Sequence, residues 1–249
     1  MESCVDTDAC RLLGTPEAGG ILIVADHASN RVPADIDLGI PAELMEAHIA
    51  VDIGVAGVAE RMVGPGLAAF LGNVSRLVCD FNRDREVPGV LPESSDGHTI
   101  PGNLLCAQQR DERIARFFDP YHGALAEVLA AAPPALILSL HSFTPQLASD
   151  PAQERPWHVG VLYNEDDRAA RLALPLLAAE GLVVGDQQPY SGKLLNATMN
   201  RHAESAGLPY LGIEIRQDRI GDPASQAAWA ERLVRICSQV RNSLIQSSR

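Results

Sequence analysis

The feature that most restricts how this chain can fold is a short, unbroken apolar run over residues 20–25, Gly-Ile-Leu-Ile-Val-Ala, that stops on Asp26-His27. A run of this length without polar alternation marks a strand covered on both faces, as in the interior of a parallel sheet. Similar runs recur at 135–140, 159–163, 182–184 and 210–215. Between them, helical spacing of apolar residues covers roughly 43–62, 109–131, 166–180 and 222–245. The last of these helices opens with Asp222 placed to cap it and Pro223 at its first position. Strands alternating with helices predict an α/β fold with a largely parallel sheet. With 249 residues, 46% of them hydrophobic, the chain has the material for one large core, and a single domain over 1–249 is expected. Residues 86–103 are rich in Pro, Gly and Ser and lack any period, which makes them a long loop beside the site rather than a domain linker.

Charge narrows the function classes. The 32 acidic residues outnumber the 20 basic ones, for a formal net charge of −12, and no Lys/Arg-rich run offers the footprint of a nucleic-acid binder. All but one of the basic residues are arginines, a compositional bias that gives a single arginine little weight until a motif singles it out. The five cysteines form no CxxC pair, and their odd number cannot close a complete disulfide framework within one chain. A reducing cytoplasm is the compartment expected. The start of the chain is acidic and lacks the apolar stretch of a signal peptide, and no apolar run approaches the ~18 residues of a membrane span.

In open α/β sheets ligands bind beyond the carboxyl ends of the strands. Three strand ends carry chemistry: Asp26-His27-Ala28-Ser29-Asn30, Ser139-Leu140-His141-Ser142 and Glu214-Ile215-Arg216-Gln217. Histidines in two matching contexts make His27 and His141 candidate nitrogen ligands. Two histidines and an oxygen, with a fourth position left to water, are a common catalytic zinc arrangement. The alternative is a pair of core histidines satisfied by backbone hydrogen bonds. A further segment, 79–85, places Asn82 and Arg83 among alternating charges, where an arginine can fork onto a substrate carboxylate or join a solvated salt-bridge cluster.

The strings ADHASN, HIAVDIG, DFNRDRE, SDGHTIPGN, SLHSFTP, QPYSG, NRHAESAGLP and IEIRQDRI, in that order and spacing from about residue 20 to 240, resemble the N-formylglutamate amidohydrolase family. That family is in turn similar to zinc carboxypeptidases and aspartoacylases. The resemblance implies a three-layer α/β/α sandwich with a mixed, largely parallel sheet, of the zinc-exopeptidase-like (phosphorylase/hydrolase-like) kind. It implies His27 and His141 as metal ligands, with zinc the expected ion and another divalent metal the alternative. It implies Glu214 and Arg83 as catalytic groups, with Asn82, Arg216 and His202 binding substrate; Arg216 or His202 would hold a carboxylate or steady an oxyanion. Where the carboxypeptidase pattern has a glutamate three residues after the first histidine, this chain has Asn30, a weaker neutral ligand. Asp52, in the shared segment HIAVDIG, is the other choice for the third ligand. His48, one helical turn before it, would be an orienting partner or a substrate contact.

The function implied is hydrolysis of the N-acyl amide of an acidic amino acid such as N-formyl-L-glutamate, a small-molecule substrate. Metal-activated water would attack, Glu214 would act as general base, and histidine breakdown would be the pathway. A deacylase for another N-acyl amino acid or small amide is the neighbouring alternative. Two readings lie further away. A serine hydrolase using Ser29 or Ser142 lacks the G-x-S-x-G elbow around either residue. A non-catalytic binding module on the same scaffold draws its support from Asn30.

Overall fold

The computed structural model describes residues 7–247; Cys4 and the rest of the acidic start of the chain lie outside them. Seven strands form one sheet: β1 (Cys10–Leu13), β2 (Ile21–Ala25), β3 (Leu67–Gly72), β6 (Leu136–Phe143), β7 (Val159–Leu162), β8 (Val184–Asp186) and β9 (Tyr210–Arg216). Their order across the sheet is β1-β3-β2-β6-β9-β7-β8. The central four, β3-β2-β6-β9, run parallel, while β1 and β7 pair antiparallel with β3 and β9. The sheet is therefore mixed and largely parallel. A two-stranded hairpin, β4 (Ser94–Ser95) and β5 (His98–Thr99), stands apart from it.

Helices cover both faces. Successive residues of β2 point to opposite sides. Ile21, Ile23 and Ala25 join one core with α1 (Val55–Met62), α4 (Arg168–Ala179) and α6 (Pro223–Ser247), whereas Leu22 and Val24 join a second. The second core is closed by α3 (Asp119–Ala131) and the π-helical segment Ile114–Phe118 that joins it to α2 (Ala107–Arg113), and by Met199 of α5 (Ala197–His202). A strand with apolar neighbours on both sides has no polar face to show, which is why β2, β6 and β9 read as continuous apolar runs. The prolyl start of α6 is capped as expected, Asp222 Oδ1 accepting from Ala224 N at 2.9 Å and Ser225 N at 3.1 Å.

The structure departs from the sequence reading in three places. The span 43–62 is not one helix: a 3₁₀ turn at Ala42–Glu46 and a stretch of turns precede α1, which begins only at Val55. Gly54 carries φ +82°, and a Cβ there would lie 2.2 Å from the Ile220 carbonyl oxygen, so the chain turns at a point only glycine can occupy. Strands β1 and β3 lie outside the runs picked from the sequence. The loop 86–103 is less formless than its composition suggests, since it contains the β4–β5 hairpin and two 3₁₀ turns.

Candidate active site and metal centre

The chain leaves β2 for β3 on one side of the sheet and reaches β6 on the other, which opens a crevice at the carboxyl ends of β2 and β6. The register fills it. His141 on β6 pairs with Glu214 on the adjacent parallel strand β9, and His27 lies two residues beyond the end of β2. The third contributor arrives from the turn region before α1: Asp52 N donates to the His27 carbonyl at 3.0 Å, which pins the acid beside the histidine. The result is a buried trio, His27, Asp52 and His141, whose donor atoms all lie within 4.8 Å of one another.

Within the trio, both Nδ1 atoms face one carboxylate oxygen. His141 Nδ1 donates to Asp52 Oδ2 at 2.9 Å, and His27 Nδ1 stands 3.4 Å from the same oxygen without a hydrogen bond. The far sides of both rings meet acids. His27 Nε2 donates to Asp80 Oδ1 at 2.8 Å, and His141 Nε2 lies 3.6 Å from Asp26 Oδ2, whose other oxygen accepts from the Tyr121 hydroxyl at 2.6 Å. Arg76 ties the acids together, reaching Asp80 Oδ2 at 2.8 Å and Asp52 Oδ1 at 3.4 Å.

Electrostatics follow from that packing. Burial and the Arg76 charge disfavour a proton on His27, but Asp80 and Asp52 outweigh them and hold its pKa above the usual value. Burial acts likewise on His141, where the Asp52 hydrogen bond and charge, with Glu214 and Asp26, lift the pKa to about 9. Burial raises Asp52 and Asp80, yet the first is pulled below the usual carboxylate range by His27 and His141, the second by Arg76 and His27. Glu214 goes the other way: burial lifts it, His141 pulls it down, the Asp52 charge lifts it again, and it stands at about 7.

These residues form the floor of a cavity of about 280 Å³. Glu214, Asn82 and Arg83 line it together with the trio, as do His48 and Ser142. Asn82 is held by its own Oδ1, which accepts from Thr198 N at 3.1 Å, and by the preceding carbonyl of Phe81, which accepts from Thr198 Oγ1 and His122 Nε2, each at 3.1 Å. The hairpin contributes Ser95 and Asp96 to the rim.

Other expected residues have different partners. Asn30 donates to Glu46 and does not line the cavity, whereas Asp52, the other choice for third ligand, stands with the two histidines. His48 does not orient Asp52: the helix that would have stacked them is absent, and His48 Nε2 lies 3.0 Å from Asp96 Oδ2 instead. Arg216 does not line the cavity; its guanidinium binds Asp218 and donates to the Arg155 and Pro156 carbonyls. His202 is also outside the lining, hydrogen-bonded through Nε2 to His122 Nδ1 at 2.9 Å. Asp26, Asp80, Arg76, Arg155 and Tyr190 had no role assigned from the sequence. Asp26 lies inside ADHASN, Asp80 inside DFNRDRE and Tyr190 inside QPYSG, but Arg76 and Arg155 have no signal in an arginine-rich chain.

The model of the N-formylglutamate amidohydrolase family matches residues 19–220. The chain belongs to this family. The match spans the trio, Glu214 and the loops that bear Asn82 and Arg83, and it makes the chain one of a family of amide hydrolases. Among solved structures, the gene product Atu2144 from Agrobacterium tumefaciens is similar over 95% of this chain and 96% of its own, with 29% identity and a TM-score of 0.88. The N-formylglutamate amidohydrolase from Ralstonia eutropha JMP134 shares the fold at 18% identity and a TM-score of 0.79, over 96% of this chain and 99% of its own. No curated protein matches the chain. Among the described residues, no helix is long and apolar enough to cross a membrane.

Proposed function

We propose that this family member is a metal-dependent amidohydrolase that removes the acyl group, formyl in the first instance, from an acidic N-acyl amino acid such as N-formyl-L-glutamate. The observation that carries this reading is the trio of His27, Asp52 and His141 on the floor of a cavity that Glu214 also lines.

The donor set fits a zinc ion. Two imidazole nitrogens and one carboxylate oxygen converge, His27 Nδ1 is buried without a hydrogen-bond partner, and His27 Nε2 is engaged by a carboxylate in the way metal-bound histidines are oriented. His27 Nδ1, Asp52 Oδ2 and His141 Nδ1 would hold the ion. A divalent ion bound there supplies the Lewis acidity that polarises an amide carbonyl and acidifies water. Protons on the two imidazoles stand where the cation would, so their raised pKa values describe the metal-free cluster.

The chain's own residues do the rest. Glu214 Oε2 is buried with no hydrogen-bond partner, so the carboxylate is free to accept a proton and return it; its raised pKa, like those of the two histidines, belongs to the metal-free cluster. It takes the proton of the attacking water and delivers it to the amine nitrogen as the C–N bond breaks. Asn82 and Arg83 follow Asp80, which is bonded to His27, so they stand next to the reacting centre. In this reading they grip the carboxylate on the carbon that bears the amide and hold the acyl carbonyl in line for attack. With a net charge of −12, the local arginines, not the whole-molecule field, must attract an anionic substrate.

The test is formate release from N-formyl-L-glutamate by the purified protein, run beside N-acetyl-L-glutamate and N-formyl-L-alanine. The reading expects the highest kcat/KM for the formylated acidic substrate, and absence of turnover on all three by metal-loaded protein would refute it.

A further inference from the structure

Among the arginines on the cavity wall, Arg155 differs in its partners. Arg76 is paired with Asp52 and Asp80, and Arg83 lies 3.9 Å from Asp80 Oδ2. Arg155 is only 5% exposed, and every hydrogen bond it makes goes to a neutral oxygen. Nε and Nη2 donate to Gln153 Oε1 at 2.9 and 2.8 Å, and Nη1 donates to the Thr144 carbonyl at 3.2 Å and the Tyr190 hydroxyl at 3.0 Å. Among the described residues no carboxylate pairs with it. Of its five N–H donors these bonds use four and leave one on Nη2. The Tyr190 ring lies against the guanidinium, 5.1 Å from centroid to Cζ, and the Tyr190 hydroxyl accepts from Arg155 with its own hydrogen still to give.

A buried cation without a counter-ion is costly, and a fold keeps one where something anionic arrives. Arg155 and Tyr190 both line the cavity that holds the trio, so the arriving anion is part of a cavity ligand. Asn82 and Arg83 stand on another segment and already serve a carboxylate beside the reacting centre. We infer that Arg155, with the Tyr190 hydroxyl, docks a second carboxylate, the one on the substrate's side chain, and so sets a preference for dicarboxylic over monocarboxylic N-acyl amino acids. For the substrate's identity this rests on the amidohydrolase reading; the docking of a carboxylate does not. The fork of an arginine and a tyrosine hydroxyl suit a carboxylate's two oxygens. Arg216 serves this site indirectly, because its guanidinium holds the Arg155 and Pro156 carbonyls in place.

The experiment is calorimetric binding of glutarate and butyrate, which differ in the second carboxylate, to the wild-type protein and to Arg155→Met, Arg155→Lys and Tyr190→Phe, with thermal unfolding as the check on folding. The wild type is expected to favour glutarate by about 10- to 100-fold, the worth of a charge-assisted contact. Arg155→Met abolishes that preference, Arg155→Lys keeps a reduced share of it, and Tyr190→Phe lowers it several-fold. Should Arg155→Met fail to fold, the lysine and phenylalanine variants carry the comparison. Equal binding of the two acids by the wild type, or a preference unchanged in every folded variant, overturns the inference. A glutarate preference lost with Arg155, in a protein that hydrolyses no N-formyl amino acid, sinks the amidohydrolase reading and leaves this docking site standing.

Discussion

His141 and Glu214 stand opposite each other on neighbouring parallel strands, so one register of the sheet sets a metal-ligand candidate beside the candidate proton carrier. Moving Glu214 by one residue along β9 would turn its side chain to the other face of the sheet. Replacing Glu214 with Gln keeps the shape and removes the proton acceptor. The variant is expected to bind metal as the wild type does and to lose roughly 10²- to 10⁴-fold in kcat. Steady-state kinetics with metal analysis on the same sample checks this, and undiminished kcat with metal bound refutes the role.

Asp80 touches both His27 and Arg76. Asp80→Asn removes the charge that orients His27 and leaves Arg76 with Asp52 alone. Metal affinity is expected to fall by about 10- to 100-fold, the usual effect of losing such an orienting acid. Competition with a chelator of known affinity measures it.

Arg83 is expected to act through binding. Arg83→Ala raises KM for N-formyl-L-glutamate by about 10- to 100-fold, in keeping with a lost charge-assisted carboxylate contact. A change confined to kcat would move Arg83 from gripping the substrate to stabilising the transition state.

The pair of His122 and His202 lies behind Asn82 and makes stability depend on pH. Burial lowers His122 to about 3, assisted by His202 and Arg201, and burial lowers His202 to about 4 against the pull of Asp26. Both values lie below 6.5, so between about 6.5 and about 4 the unfolded chain binds more protons than the folded one. The pair therefore costs stability as the pH falls through that window and is silent above it. Glu214, raised to about 7, acts in the opposite sense over part of the same range, so a difference between proteins is the clean readout. Urea midpoints of the wild type and of His122→Gln/His202→Gln from pH 7 to pH 4 provide it. The wild type is expected to lose the more stability; parallel profiles contradict the assignment.

How far the sequence disclosed this depends on the element. β2, β6 and β9 were legible because strands buried on both faces must be apolar throughout, and the polar residues that end them are conspicuous. β3, Leu67–Gly72, was not, because its two alanines and its glycine give none of the β-branched signal that separates a short strand from a helix. Asp52 was found through a motif but placed on a helix, since the apolar spacing of HIAVDIG mimics a helical face while Gly54 breaks it with a positive φ. Arg76 and Arg155 matter through what they touch. Those contacts cross 24 residues from Arg76 to Asp52 and 35 from Arg155 to Tyr190, and no local pattern encodes them.

In the proposed function, catalysis belongs to an ion held by His27, Asp52 and His141. Protein stripped by a chelator should be titrated with zinc while bound metal and formate release from N-formyl-L-glutamate are followed together. Activity is expected to rise from near zero and saturate at one ion per chain, and His27→Ala to abolish both binding and activity. Full turnover by the metal-free protein, or a saturating ion that His27→Ala leaves undisturbed, would contradict it.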